Sequence, residues 1–403
     1  AEPAPAGQAR RQGQQTATDM THGIYLDHAA TTPLDERVLE AMLPYLTTVS
    51  GNPSSLHTAG RLARRGVEEA REQVAAVLGV RPRQVTFTSG ATEADNLAVK
   101  GVMALRRGAL VTSAVEHAAV LQSARAVASA GRDVVILEPD AAGAVTAAAV
   151  VEALEGRSSH DGTALVALMH VNNETGVLTD VAAVADAAHA AGALYFCDAV
   201  QAAGLEDVSL AATGADLVAL SGHKVNGPKG VGVLARRDGV DLEPLTSGGS
   251  QEAGLRPGTH AVSAIVGMGA ALHLAEERRV GERRRLAALR SQFEEACLRM
   301  HGVTLNGAGA PRGVKHTNVS VEGVDGEALL MALDDAGVYV SAGSACAAGS
   351  LEPSHVLVAM GLSPSRAKAS VRFSFGSSTT SADVTEAVAR FATVVERCRA
   401  VAA

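Results

Sequence analysis

The chain has no tryptophan, and its four tyrosines and six phenylalanines leave aromatics at 2% of 403 residues. Its core must therefore be built from the apolar 47%, much of it Ala and Val. Cysteine is also scarce. Cys197, Cys297, Cys346 and Cys398 are widely scattered, with no CxxC pair and no Cys/His metal spacing. A disulfide framework is thereby excluded for so long a chain. Positive charge is short: the formal net charge is −8, so no global field favours bare nucleic acid. The Arg-rich stretches 61–71 and 278–285 are interleaved with Glu and read as solvated helix faces. No apolar run is long enough to span a membrane, and there are no internal repeats. Residues 1–19 hold no apolar stretch, so they are neither a signal peptide nor a packed element. Met20 reads as the natural start, and residues 1–20 as an added leader or disordered extension.

The length suits one large domain and a smaller one. Helical patterns cover Leu34 to Thr47, Arg61 to Leu78, Thr92 to Arg106 and Val181 to Ala191. They alternate with strand-like runs at Thr163 to Met169, Leu194 to Asp198, Asp216 to Ser221 and Val231 to Ala235. Such alternation predicts an α/β fold with a largely parallel sheet and helices on both faces. A long charged helical pattern, Ala261 to Met300, leads to a second unit holding Thr317 to Val321, Gly326 to Ala336, Val338 to Ser341 and Val371 to Phe375.

Chemistry concentrates at the strand ends. Lys224 lies in Ser221-Gly222-His223-Lys224, just past one strand, and Asp198 closes another, with Gln201 following. A lysine and an aspartate so placed suit pyridoxal 5'-phosphate. The amine forms a Schiff base with the aldehyde, and the carboxylate keeps the pyridine nitrogen protonated. Alone, the same residues also describe an ordinary strand-to-loop turn. Ala91 and Thr92 open a helix after the strand Gln84 to Thr88, where backbone amides would receive a phosphate or simply an N-cap. His117 follows the strand Ala109 to Ser113 and suits ring stacking and proton transfer, or a structural role. Asn172, in His170-Val-Asn-Asn-Glu-Thr-Gly176, could bond the ring oxygen or substrate, or serve an Asn-rich turn. Cys346 sits among Ser, Ala and Gly residues 341–350, a run that favours a mobile loop and an exposed thiol. Arg372 stands in a strand-like alternation and offers a fork for a carboxylate.

In this order the pieces resemble the class V family of pyridoxal-phosphate enzymes, and within it the cysteine desulfurases of the NifS and IscS type. The matching stretches include Tyr25-Leu-Asp-His-Ala-Ala-Thr-Thr-Pro33, Thr86-Phe-Thr-Ser-Gly-Ala-Thr-Glu93, Met169-His-Val-Asn-Asn-Glu174, Ser221-Gly-His-Lys224, Arg256-Pro-Gly-Thr259, Gly343-Ser-Ala-Cys346 and Val371-Arg-Phe-Ser374, running from about Ile24 to the C-terminus. The resemblance implies the fold type I of these transferases. A large domain, 35–276, would carry a mostly parallel seven-stranded sheet. A smaller α/β C-terminal domain would combine 21–34 with 277–403, with Tyr25 to Pro33 pairing into it. It further implies a cytoplasmic homodimer that takes L-cysteine, with Thr259 reaching the phosphate of the neighbouring subunit's cofactor.

By that resemblance the cofactor is held by Ala91, Thr92, His117, Asn172, Asp198, Gln201, Ser221, His223, Lys224 and Thr259. Lys224 moves the α-proton, Arg372 and Asn172 hold the substrate, and Cys346 takes the sulfur as a persulfide with His117 as proton carrier. No metal is implied beyond a transient iron–sulfur contact at Cys346. The sulfur then passes to an acceptor protein, for cluster assembly, tRNA thiolation, biosynthetic sulfur transfer or DNA phosphorothioation. Selenocysteine lyase or class V aminotransferase activity is the enzymatic alternative, and a non-catalytic sulfur-relay protein the other. Three departures from the usual pattern stand out. Ala342, Ala347 and Ala348 occupy loop positions where relatives often carry Ser or Thr. Glu252-Ala253-Gly254 replaces Glu-Arg-Gly, expected to remove a positive charge at the active-site rim. The chain ends soon after a helix over Ala382 to Val401, without the longer tail that scaffold-serving relatives use in docking, so a dedicated partner is expected.

Overall fold

The computed structural model describes residues 23–155, 162–342 and 352–402. The expected leader and Cys346 lie outside these residues. In the first half, β1 (Ile24–Tyr25), α1 (Glu36–Thr47) and α2 (Thr58–Leu78) precede an alternating run. That run is β2 (Val85–Thr88), α3 (Ala91–Leu105), β3 (Ala109–Ser113), α4 (Ala118–Ser129), β4 (Val134–Leu137), α5 (Ala147–Glu155), β5 (Thr163–Ala167), α6 (Val181–Ala190), β6 (Leu194–Asp198), α7 (Leu210–Thr213), β7 (Leu217–Ser221) and β8 (Gly232–Arg236). Then come α8 (Val262–Cys297), β9 (Val303–Leu305), β10 (His316–Val321), α9 (Gly326–Asp335), β11 (Val338–Tyr339), β12 (Ser341–Ala342), α10 (His355–Ala359), α11 (Pro364–Lys368), β13 (Ser370–Ser374) and α12 (Ser381–Ala402).

Strands β2 to β8 form the expected seven-stranded sheet, in the order β2-β8-β7-β6-β5-β3-β4. Only β8 runs against the rest, antiparallel to both β2 and β7. Successive residues point to opposite faces, and here both faces are buried. Val111, Val166, Tyr195, Val218 and Val233 join helices α1, α2, α6 and α8 on one side. Leu110, Leu165, Phe196, Leu217 and Leu234 join α3 and α4 on the other. Small residues on the helices, such as Ala63, Gly66 and Ala70 on α2, let them sit close with few aromatics between.

A second sheet, in the order β12-β13-β10-β9, packs with α9 and α12 around Phe293, Phe373, Phe375 and Phe391. Four of the chain's six phenylalanines thus gather in one cluster, ring centroids 4.6–5.6 Å apart. Helix α8 joins the two cores without interruption: Ile265, Met268 and Leu272 pack into the first, Leu286, Leu289 and Phe293 into the second. The passage from one core to the other falls between Leu272 and Leu286. The segment 352–368 behaves otherwise, because Val356, Leu357, Met360 and Ala367 pack with the large sheet's core. The N-terminal segment pairs with the smaller unit, β1 parallel to β11 and Asp27 bridged to Ser374. Among the described residues no helix is long and apolar enough to cross a membrane.

Candidate active site

The parallel strands deliver their C-terminal ends to one place, the usual location for ligands in open α/β sheets. β6 ends at Asp198, and β7 ends at Ser221 before one 3-10 turn, Gly222–Lys224. That turn is tight. A Cβ on Gly222 would stand 2.9 Å from the Pro228 carbonyl oxygen and 3.1 Å from Met268 Sδ. The Lys224 ammonium donates to the Ala29 and Ala30 carbonyls at 2.5 and 2.8 Å. Residues 29–32 thus strap across the strand ends, and Thr32 Oγ1 donates to the His223 carbonyl at 2.8 Å.

A cavity of about 520 Å³ opens here. Of the predicted residues, Ala91, Thr92, His117, Asp198, Gln201, Ser221, His223, Lys224 and Arg372 all line it. Helix α3 points its first turn at it. Its N-cap is Gly90, which makes no side-chain cap, so backbone amides face an incoming anion. Strand β8 can lie against this turn only because residue 232 is glycine: a Cβ there would meet the Gly90 carbonyl carbon at 2.4 Å. His117 caps α4, its Nδ1 accepting the Ala119 amide at 3.1 Å, which fixes the ring at the cavity wall. His223 Nδ1 pairs with Thr31 Oγ1 at 3.1 Å, and burial, with the charge of Lys224 next, pushes this imidazole down to about 4.

Acids dominate the floor. Asp198 accepts the Val200 amide at 3.0 Å, and burial raises its pKa against the opposing charges of His117 and Lys224. Asp95, on α3, lines the same cavity, and neither carboxylate oxygen has a partner among the described residues. Burial first, then Asp198 and Glu116, push it well above the carboxylate range. Burial drives Glu116 up to about 8, despite bonds from the Ser113 hydroxyl at 2.8 Å and the Met169 amide at 3.1 Å. Such a floor favours a cationic group above it. The residues present would fit pyridoxal phosphate: the acids a protonated pyridine, the α3 terminus a phosphate and Lys224 an aldehyde. Gln201 Oε1, buried and without a partner among the described residues, adds an acceptor on the same side.

Arg372 comes from β13 and is 1% exposed. Its Nη1 donates to the Asn173 carbonyl and its Nη2 to Asp27 Oδ1, each at 2.9 Å. Its Nε has no partner among the described residues.

Three expectations are corrected. Asn172 does not line the cavity. Its Nδ2 donates to the Val115 carbonyl at 2.9 Å, and its Oδ1 accepts the amides of Glu174 and Thr175 at 3.0 and 2.9 Å. It is the folding residue of an Asx turn, and Asn173 lines the cavity in its place, with its Oδ1 buried and unpartnered. The signal was in the sequence: the first Asn of Asn-Asn-Glu-Thr-Gly folds back onto the turn's own amides and leaves the second to face outward. Arg372 is not a bare fork, since two of its donors are already placed. Ala253 lines a separate depression beside Arg71 and Glu252 and is not part of the cavity wall. Thr259 is exposed and lies apart from the cavity of its own chain. Sequence reasoning also missed Asp95, Glu174 and His355. Glu174 accepts the Ser354 hydroxyl at 2.5 Å, and His355 Nε2 pairs with the Glu116 carbonyl at 3.0 Å. Glu174 lines the cavity from the turn that holds Asn173, and His355 lines it from the segment that follows residues 343–351.

The profile of the family described as aminotransferase class-V matches residues 24–386. The chain is similar to the cysteine desulfurase IscS of Azotobacter vinelandii, 42% identical over 384 residues that cover 93% of each protein. It is similar in structure to a NifS-like protein, with a TM-score of 0.85 at 33% identity, over 93% of this chain and 100% of that one. It is also similar to SspA in complex with cysteine, with a TM-score of 0.76 at 34% identity, over 87% of this chain and 98% of that one.

Proposed function

This chain belongs to the class V aminotransferase family and is a cysteine desulfurase, and on that premise we propose that L-cysteine bound in the strand-end cavity gives its sulfur to Cys346. The observation that carries the reading is the convergence of Lys224, Asp198, His117 and Arg372 on one cavity from four separate segments. Pyridoxal phosphate, when bound, supplies an aldehyde and an electron sink for the substrate α-carbon. Ala91 and Thr92 at the α3 terminus, with Ser221 and His223, would hold its phosphate. Asp198 would face its ring nitrogen, Gln201 and Asn173 its ring oxygen side, and His117 its ring face.

The protein's own groups then act in turn. Arg372 receives the substrate carboxylate. The Lys224 amine takes the α-proton as general base and returns a proton on the opposite side of the reaction. The Cys346 thiolate attacks the substrate sulfur. A sulfur–sulfur bond forms as the carbon–sulfur bond breaks, the electron pair goes to carbon, and His117 carries the accompanying proton. L-Alanine leaves, and Cys346 holds the persulfide until a sulfur-acceptor protein takes it.

A homodimer fits the surface. Leu39, Leu43, Leu46, Leu56 and Leu62 stand exposed along α1, the following loop and α2, large apolar side chains that an interface would cover. Thr259, exposed on its own chain, is free to complete the neighbour's phosphate site. The described cysteines are unpaired thiols, as suits the reducing cytoplasm.

The test is an assay of purified protein with L-cysteine, measuring alanine and the persulfide on Cys346. Equal amounts of both are expected in a single turnover. Cys346→Ser should bind cysteine without releasing sulfur, and Lys224→Ala should lose covalent cofactor attachment. Alanine produced by Cys346→Ser at the wild-type rate would remove Cys346 from the reaction.

A further inference from the structure

Residues 27–31 touch most of the working parts of the cavity. Ala29 and Ala30 hold Lys224, the Ala29 carbonyl accepts Gln201 Nε2 at 2.9 Å, and Thr31 holds His223. Asp27 is the one side chain of this strap that reaches two elements at once. Its Oδ1 takes Arg372 Nη2 at 2.9 Å, and its Oδ2 takes the Ser341 hydroxyl at 2.8 Å. Ser341 and Ala342 form β12, the last described residues before the segment that carries Cys346. In the antiparallel pair Ser341 lies directly opposite Arg372.

A guanidinium has five N–H donors in one rigid plane. Two of Arg372's are fixed, one on the Asn173 carbonyl and one on Asp27, which sets the plane for the donors that remain, Nε among them. A two-residue strand has few ladder bonds, so a side-chain clip matters to where it lies. Asp27 also supplies negative charge beside Arg372 and the buried Lys315.

We propose that Asp27 is a positioning residue: it orients the Arg372 fork for the substrate α-carboxylate and, through Ser341, holds the strand entering the Cys346 segment in register with that fork. One carboxylate would thus set both ends of the transfer, the grip on the substrate and the approach of the thiol. This rests on the desulfurase reading above.

The test uses the holoenzyme and three variants, Asp27→Asn, Asp27→Glu and Ser341→Ala, each checked for cofactor content and melting temperature. L-Alanine, which keeps the carboxylate and has no sulfur to give, is titrated by cofactor absorbance. Sulfur arriving on Cys346 is followed by intact mass in a single turnover at saturating L-cysteine. Asp27→Asn should weaken L-alanine about tenfold, the loss of one charge-assisted hydrogen bond. Asp27→Glu keeps the charge but displaces it, and should lose affinity in the same direction. Ser341→Ala should leave L-alanine affinity unchanged and slow sulfur arrival several-fold, a split that a general loss of stability would not produce. Unchanged L-alanine affinity in both Asp27 variants, or an unchanged sulfur rate in Ser341→Ala, would overturn the proposal. If the wild type places no sulfur on Cys346, the desulfurase reading fails, while the L-alanine titration still decides the role of Asp27.

Discussion

Replacing Arg71 by Met should cost about 3–5 kcal/mol near neutral pH, the usual penalty for leaving a buried charge without its partner. Arg71 Nη1 and Nη2 take both oxygens of Glu252 at 2.8 and 2.7 Å, and Nη1 also donates to the Val85 carbonyl at 2.9 Å. The Glu252 side chain is 1% exposed, so solvent does not screen the pair. The Phe87 amide and His260 Nε2 add bonds at 2.8 and 2.7 Å. Burial raises the Glu252 carboxyl, but the Arg71 and His260 bonds outweigh it and hold the group down at about 2. A displacement of that size is worth about 3 kcal/mol. Because the folded carboxyl is depressed, this stability is fully present above the ordinary glutamate range and is lost as pH falls toward 2. The guanidinium carbon also lies 4.9 Å from the Phe87 ring centroid, so the change removes a cation–π contact together with the ion pair. Urea unfolding followed by far-UV circular dichroism is the assay, since there is no tryptophan to report. The deficit of Arg71→Met should be largest near pH 7 and shrink on acidification. Arg71→Met with Glu252→Gln should recover much of the loss, because the buried charge is gone. A deficit that does not change with pH, or a double variant no better than the single, would refute the reasoning.

Glu116→Gln should keep both existing bonds and remove a titration. Burial holds this carboxyl up at about 8, so the folded state binds the extra proton and the wild type loses stability as pH rises from about 4.5 through 8. The variant's stability advantage over the wild type should grow across that range, and a difference that stays constant with pH would discount Glu116. Lys315→Met should stabilise the fold by roughly 1–3 kcal/mol at pH 6 and by little near pH 10. Burial, then the charges of Lys224 and Arg372, push that amine down to about 7, so the cost of its charge is fully present below 7 and relieved above it. A benefit that persists undiminished at high pH would point to packing instead. Asn173→Ala should lower cofactor retention in dialysis with little change in melting temperature, whereas Asn172→Ala should lower the melting temperature by removing the turn's acceptor. The reverse pattern would restore Asn172 to the site.

What the sequence showed and what it hid divide by distance along the chain. Strand alternation, the α3 terminus and the Lys224 turn are local: period two, a Ser-Gly-Ala-Thr run and a strand-end lysine sit within a few residues of each other. They were legible as a largely parallel α/β sheet with reactive residues at its strand ends, and the family resemblance supplied the seven strands and the rest of the expected site. The Asn172 error was local too, a failure to ask which of two adjacent amides folds back on the turn. The rest depended on contacts the chain makes only when folded. Asp27 and Arg372 are 345 residues apart, and no pattern around either announces the other. Arg372 looked like a bare fork because its partner lies near the other end of the sequence. Asp95 carried no signal of its own in the sequence, yet α3 turns it toward Asp198 and Glu116 rather than toward water. Its unpartnered carboxylate then becomes part of the reason the cavity favours a cation. The chemistry of this site thus rests on local motifs for the identity of its groups and on long-range packing for their charge states.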